Sequence, residues 1–252
     1  MVRRSMRASY DTIGVNYSDL RKPDSRIEAV ISEALGSAET VLNVGAGTGS
    51  YEPADRSVTA IEPSAEMIRQ RSASAAPVIQ GYAEKLPFDD KSFDASMAVL
   101  TVHHWADKEK GLKEMCRVTR GPVVVLTYDP AFRAFWLLDY FPELVTLDEG
   151  QMPKITDYED WLGPVEVSPV PIPHDCTDGF LSAYWRRPAA YLDPRIRAAM
   201  SSFWKIGDVS EALGRLEKDL QSGAWAQRHS GLLDRNECDC GYRLVVTRQC
   251  NP

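Results

Sequence analysis

The segment that most restricts this chain is Gly45-Ala46-Gly47-Thr48-Gly49, entered directly from the apolar run Thr40-Val41-Leu42-Asn43-Val44. A buried strand that runs into a glycine turn lets the backbone approach a ligand that a Cβ would hold off, and glycine also permits positive φ. Taken alone, such a turn is also satisfied by a plain tight reversal. The second apolar run, Ser57-Val58-Thr59-Ala60-Ile61, ends on Glu62, thirteen residues after Gly49. A carboxylate at that strand tip can accept both hydroxyl protons of a ribose in a charge-assisted bidentate contact. Turn and acid together therefore point to a nucleoside-containing ligand.

The glycine spacing narrows the choice. Dinucleotide folds use G-x-G-x-x-G, with the third glycine packing helix on strand and a pyrophosphate at the helix N-terminus. Here Ser50 holds the third place, and Pro53 curtails the helix that would follow. A ligand without a pyrophosphate suits this turn better.

The rest of the chain supplies the frame. Asp24 can cap a helix carrying Ile27, Val30, Ile31 and Leu35 at helical spacing, which stops at Gly36. Ala65 to Arg71 and Asp107 to Arg117 have helical composition. Strands are expected at Pro77–Gln80, Phe93–Leu100 and Gly121–Thr127. Alternating strands and helices mean a parallel sheet with right-handed crossovers. After Pro130 the pattern changes. Phe132 to Phe141 reads as an aromatic helix, Val165 to Val167 as a sixth strand, and Thr177 to Arg235 as several helices. One of these, Asp208 to Gln221, sets Val209, Leu213, Leu216 and Leu220 on one face. Tyr242 to Thr247 closes the chain as a strand. The tail shows no sheet of its own and reads as a helical insertion before the last strand.

Composition sets outer limits. With 252 residues, 44% hydrophobic, the chain can bury a sizeable core. Its net charge of -7 gives no electrostatic footprint for nucleic acid or an anionic membrane. The basic N-terminus lacks an apolar run of signal-peptide length, so a cytosolic (cytoplasmic) protein without membrane insertion is expected. Five cysteines are then expected as reduced thiols, and Cys238-Asp239-Cys240 has no second pair at zinc spacing, so no metal is expected.

Three stretches, in order, resemble the motifs of class I S-adenosylmethionine-dependent methyltransferases. Val41 to Gly49 resembles the first motif and Ala60-Ile61-Glu62-Pro63-Ser64 the acidic second. Gly81-Tyr82-Ala83-Glu84-Lys85-Leu86-Pro87-Phe88 and the following Asp89 to Asp94 resemble the adenine-contacting third. The likeness covers roughly residues 8 to 130 and is closest to the ubiquinone/menaquinone-biosynthesis-type ("type 11") branch. Asn43, where the family usually has aspartate, and the helix shortened by Pro53 are departures. The resemblance implies a Rossmann-like α/β fold, with a mainly parallel seven-stranded sheet and helices on both faces. It divides one domain over 1–252 into an N-terminal helical lid (1–36), a cofactor-binding core (37–130), a largely helical acceptor-pocket elaboration (131–240) and a terminal strand (241–252).

By the same resemblance the cofactor is S-adenosyl-L-methionine, leaving as S-adenosyl-L-homocysteine. Gly45, Ala46, Gly47 and Gly49 would line its methionine and ribose, and Glu62 would hold the ribose. Pro63 and Met67 would flank the adenine, with Ala83 and Glu84 reading its amino edge. Val99, Leu100 and Thr101 would cover the sulfonium side. Tyr17 and Arg21 would bind the cofactor carboxylate from the lid, although Tyr17 also fits a helix aromatic packed on the sheet.

Methyl transfer is an in-line displacement that neutralises the sulfonium, so alignment is the main lever, worth up to roughly 7–11 kcal/mol in favourable cases. A base adds about 10²- to 10⁴-fold where the acceptor carries a proton of high pKa. His103 and His104, in Thr101-Val102-His103-His104-Trp105 at the carboxyl end of the fourth strand, are the candidate catalytic residues. The same imidazoles also fit a capping role at the helix near Asp107, or a place in the cofactor wall. The aromatic residues of the tail, Trp136, Trp161, Trp185 and Tyr191 among them, point to an apolar or aromatic small-molecule acceptor, although any single one fits core packing. His174-Asp175-Cys176-Thr177-Asp178 fits a turn with Asp178 as helix cap, or a polar site; the thiols of Cys176, Cys238 and Cys240 also fit an arsenic(III) substrate, without a defensible motif. Two rival classes stand beside methyl transfer: an NAD(P)-dependent oxidoreductase and a catalytically silent S-adenosylmethionine-binding protein.

Overall fold

The computed structural model describes residues 20–250. Helix α1 (Ser25–Leu35) begins where the Asp24 carboxylate accepts the Arg26 N–H and ends at Gly36, whose φ is +62°. The chain then lays down β1 (Thr40–Val44), β2 (Ser57–Glu62), α2 (Ala65–Arg69), β3 (Val78–Gln80) and β4 (Ala95–Val99). Helix α3 (Lys108–Val118) and β5 (Val123–Tyr128) complete the first half.

Seven strands form one sheet in the order β3-β2-β1-β4-β5-β9-β6. The first five are parallel, with Val44 beside Ile61 and Val41 beside Ala95. The last strand, β9 (Tyr242–Thr247), runs antiparallel to β5, and β6 (Glu166–Pro169) runs antiparallel to β9. Side chains alternate between two cores, as the strand pleat requires. Val124, Leu126 and Val246 join α1 and the aromatic insertion on one face. Val123, Val125 and Val245 join Leu112 and Met115 of α3 and Tyr158 of α6 (Ile155–Leu162) on the other. This is the Rossmann-like class I methyltransferase arrangement expected.

The second half departs from the sequence reading in several ways. The aromatic helix over Phe132–Phe141 shrinks to α4 (Leu137–Tyr140). Phe135 and Trp136, just before it, are both buried, and the Trp136 indole donates to the Trp185 carbonyl at 2.7 Å. Helix α5 (Glu143–Gln151) follows unannounced, its side-chain pattern carrying almost no amphipathic signal. The helices expected from Thr177 start only at a 3₁₀ turn, Pro188–Leu192. They continue as α7 (Pro194–Ala198), α8 (Ser201–Lys205), α9 (Ser210–Ser222), α10 (Ala224–Arg228) and α11 (Ser230–Leu233). Only Leu216 of the expected α9 stripe is fully buried; Val209, Leu213 and Leu220 pack around it half-covered.

The tail also has a small sheet after all, β7 (Ile172–Pro173) against β8 (Glu237–Cys238). Finally, the cysteines are not all reduced. Cys116 on α3 and Cys250 after β9 form a disulfide, their Cα atoms 5.6 Å apart, because both belong to the core face beneath α3. Cys176, Cys238 and Cys240 are free. Among the described residues, no helix is long and apolar enough to cross a membrane.

Candidate active site

The glycine turn is held by its neighbours. The N–H groups of Gly45 and Ala46 both donate to the Ile61 carbonyl, at 2.8 and 3.0 Å. Gly45, with φ of +72°, lies so close to the Thr101 side chain that a Cβ would collide with it. Glu62 is 6% exposed and braces the turn through its own carboxylate. It accepts the Gly47 N–H on Oε2 and the Ser64 N–H on Oε1, each at 2.8 Å. The acid therefore shapes the turn as well as facing the space beside it.

A second, unpredicted network supports the turn from behind. Arg71 grips Glu52 at 2.7 Å, both largely buried, and donates to the Gly47 carbonyl at 3.1 Å. Asn43 donates its amide to Glu52 Oε1 at 3.1 Å. This explains the asparagine at the place where the resemblance leads one to expect aspartate. A carboxylate there would face the Glu52 carboxylate, whereas an amide completes its hydrogen bonding. No helix follows the turn; Tyr51 adopts φ of +63°, a costly conformation for a bulky residue. Its hydroxyl repays this by donating to Asp178 at 2.8 Å and accepting from the Asp24 N–H at 3.4 Å.

Above the carboxyl ends of β1, β2 and β4 lies a cavity of about 320 Å³. It is lined by Gly45, Ala46 and Gly47 of the turn and by Glu62, Pro63 and Met67 after β2. Ala83 and Glu84, and Val99, Leu100 and Thr101 at the end of β4, line it as well. One oxygen of Glu84 also accepts the N–H groups of Ala106 and Asp107, at 2.9 and 3.1 Å, fixing the chain that leads into α3. Gly49 faces away from the cavity, against Glu52, Ala75 and Arg71. Tyr17 lies outside the described residues. Tyr51, Tyr82 and Trp105 also line the cavity and were not singled out from the sequence. Nothing local marks them, although Trp105 follows the histidine pair directly.

The two histidines take different sides. They sit in the 3₁₀ turn Val102–His104, rings 3.9 Å apart. His104 lines the first cavity and His103 a second one. Neither caps α3, because the Asp107 carboxylate does so itself, accepting from the Lys110 N–H. Burial is the main reason both stay neutral: it holds His104 at about 3 and His103 well below the ordinary imidazole value. The second ring and the positive charges of Lys205, Lys108 and Arg21 act in the same direction.

The second cavity adjoins the first across Arg21 and Leu100, which line both. Leu100 stands at φ of +51°, a left-handed residue in the wall between the two spaces. Arg21 donates from Nε to Asp178 at 2.6 Å, so Asp178 ties the N-terminal segment to the glycine turn through Tyr51. No helix starts at Asp178, so its expected role as a cap is replaced by this buried tie. Of the tail aromatics, Phe180 reaches the second cavity. Trp136, Trp185 and Tyr191 are buried as core, with the Trp136 ring edge-on to Tyr140, Tyr191 and Trp225. Trp204 is exposed.

Residues 42–125 match the family model described as a methyltransferase domain. A 2-methyl-6-phytyl-1,4-hydroquinone methyltransferase of rice chloroplasts is 28% identical over 170 residues, 60% of this chain. The chain spans about half the length of that relative, 47%. A ubiquinone/menaquinone biosynthesis C-methyltransferase of Geobacter is 30% identical over 152 residues, covering 52% of this chain and 64% of the relative. Among solved structures, a candidate methyltransferase from an antibiotic-biosynthesis pathway of Anabaena variabilis matches at 35% identity with a TM-score of 0.82. That match covers 90% of this chain and 98% of the other.

Proposed function

Because the chain belongs to the class I S-adenosylmethionine-dependent methyltransferases, we propose that the larger cavity holds the methyl donor and the adjoining one a small-molecule acceptor. The observation that carries this reading is the pair of spaces sharing a wall at Leu100, above the carboxyl edge of the sheet. The residues of the larger cavity fit the donor. A buried carboxylate, Glu62, stands beside glycine backbone, and Pro63 and Met67 offer an apolar slot of the kind an adenine ring fills. When bound, the cofactor supplies a methyl group on a sulfonium.

In this reading Glu62 accepts from the ribose hydroxyls, beside the N–H groups of Gly47 and Ser64. Gly45, Ala46 and Gly47 leave room for the methionine end, and Arg21 offers its guanidinium to the carboxylate there. Met67 and Pro63 clasp the adenine, while Ala83 and Glu84 face its polar edge. Val99, Leu100 and Thr101 stand where the methyl group must emerge. His104 shapes the donor side as a neutral ring. His103 faces the acceptor as a neutral imidazole. Positioning of two bound molecules across one wall is the main source of rate.

The quinone-type names of the rice and Geobacter relatives support an apolar, hydroxylated ring as acceptor. Incubation with radiolabelled S-adenosylmethionine and a panel of phenols and hydroquinones tests the proposal. Label transferred to a panel member above the enzyme-free rate supports it. Absence of transfer to every member, with binding of NADH instead of the sulfonium, would discard it.

A further inference from the structure

The smaller cavity contains a carboxylate that none of the foregoing uses. Asp148, on α5, is 4% exposed and lines this space, as does His103. A buried carboxylate is ordinarily neutralised by a direct ion pair, and among the described residues Asp148 has none. Its side-chain hydrogen bond comes from the Gln151 amide at a long 3.4 Å. Gln151 in turn accepts from Lys205 Nζ, on α8, at 2.7 Å. The cation is thus kept one residue away, where it steers the carboxylate without capping it. Around Asp148 the cavity is lined by Met152, Met200 and Tyr128 together with the polar Ser201 and Ser202.

We propose that Asp148 recognises the acceptor, its carboxylate accepting a hydrogen bond from a hydroxyl that an apolar ring extends into the smaller cavity. This deepens the methyltransferase reading and rests on it. A hydroxyl is the group that matches this wall. It donates to an acceptor-only carboxylate, and it leaves its oxygen free to face the neutral His103. Held at that point, the ring is presented to the wall at Leu100, behind which the methyl group arrives. No proton need change hands for this role.

The charged and titratable groups around Asp148 agree with it. Burial raises the carboxyl to about 6, while the Gln151 hydrogen bond and the charges of Lys205 and Arg133 pull the other way. Arg133 is paired with Glu149 at 2.5 Å, and Tyr128, whose phenol is pushed upward partly by Asp148, stays protonated. Arg21 is committed in part to Asp178. Asp148 is therefore largely ionised at neutral pH and able to receive a hydrogen bond.

The experiment uses the full chain saturated with S-adenosylhomocysteine and two probes, 2-naphthol and 2-methoxynaphthalene, titrated by fluorescence. The wild type should bind 2-naphthol about tenfold more tightly than its ether, a preference that Asp148→Leu reduces to within twofold. Asp148→Asn should fall between the two. Lowering the pH from 7.5 to 5 should shrink the preference in the wild type and leave it unchanged in Asp148→Leu. Affinity of each variant for S-adenosylhomocysteine, measured in the same preparations, should equal that of the wild type and shows that the fold is kept. A wild type that binds neither probe, or shows no preference, overturns the proposal, as does a preference that survives both substitutions. Failure of the wild type to bind S-adenosylhomocysteine would instead strike at the methyltransferase reading beneath it.

Discussion

The two cavities are built by different means. The polar support of the larger is short-range chemistry: a glycine turn, its bracing carboxylate thirteen to seventeen residues on in β2, and a supporting Asn43–Glu52–Arg71 network, all between residues 43 and 71. The smaller is assembled from parts far apart in the chain: Arg21 from the N-terminal segment, His103 after β4, Asp148 on α5, Phe180 from an irregular stretch and Tyr242 on β9. One is a polar cradle whose hydrogen bonds are largely satisfied internally. The other is a largely aromatic and aliphatic chamber that also carries Arg21, His103, Ser201 and Ser202, with one imperfectly compensated carboxylate. Fixed polar contacts suit a cofactor that never varies. A mainly apolar chamber with one buried carboxylate suits an acceptor chosen by shape and by one functional group.

This contrast can be broken at each end. The largest effect is expected at the support of the cradle. Arg71→Ala strands Glu52 beside Asn43 and should cost about 3–5 kcal/mol, as removal of one partner of a buried pair does. Urea denaturation would measure it, and a loss below about 1 kcal/mol would mean that the network is incidental.

Glu62→Ala comes next. It removes the group proposed to hold the ribose and also frees the Gly47 N–H. Affinity for S-adenosylhomocysteine should fall about 100-fold, near 3 kcal/mol.

On the other side the sign reverses. The Asp148 carboxyl, at about 6 in the fold against an ordinary 3.8, binds its proton more tightly when folded. Its contribution to stability is therefore full below pH 4 and is lost as pH rises through 6. Asp148→Asn should accordingly stabilise the protein at pH 8 by roughly 1–3 kcal/mol and flatten its stability profile between pH 4 and 6. A destabilised variant at pH 8 would show that the carboxylate is structural.

The smallest effect is expected from Trp136→Phe, which leaves the Trp185 carbonyl without its indole donor. It should cost about 1–2 kcal/mol of stability with the affinity for S-adenosylhomocysteine unchanged, keeping the core of the insertion separate from the cradle.

The same contrast explains what could be read from the chain. Gly45 and Glu62 were legible because each falls at a strand end whose position follows from local apolar runs, whereas Met67 and Ala83 were reached only through the resemblance to the family's motifs. All of them meet at one cavity. Gly49 was included by its place in the glycine triplet, yet it lies against Glu52, Ala75 and Arg71 behind the turn. Asp148 and Lys205 were invisible. Helix α5 buries only Leu144 and Asp148 and has no apolar stripe, so neither the helix nor the buried acid had a periodic signal. The disulfide between Cys116 and Cys250 spans 134 residues and depends on β9 returning beside β5, a pairing that no spacing reveals. The aromatic residues of the insertion pointed toward a ligand chamber, but their adjacency, as at Phe135 and Trp136, reflects close packing inside a core instead.

The most direct test is calorimetric titration of S-adenosylhomocysteine into wild type, Glu62→Ala and Asp148→Asn, with NADH as control. The account predicts micromolar binding to the wild type, loss in Glu62→Ala, no change in Asp148→Asn, and no heat from NADH. Equal binding to wild type and Glu62→Ala, or a preference for NADH, would contradict the assignment of the larger cavity to the methyl donor.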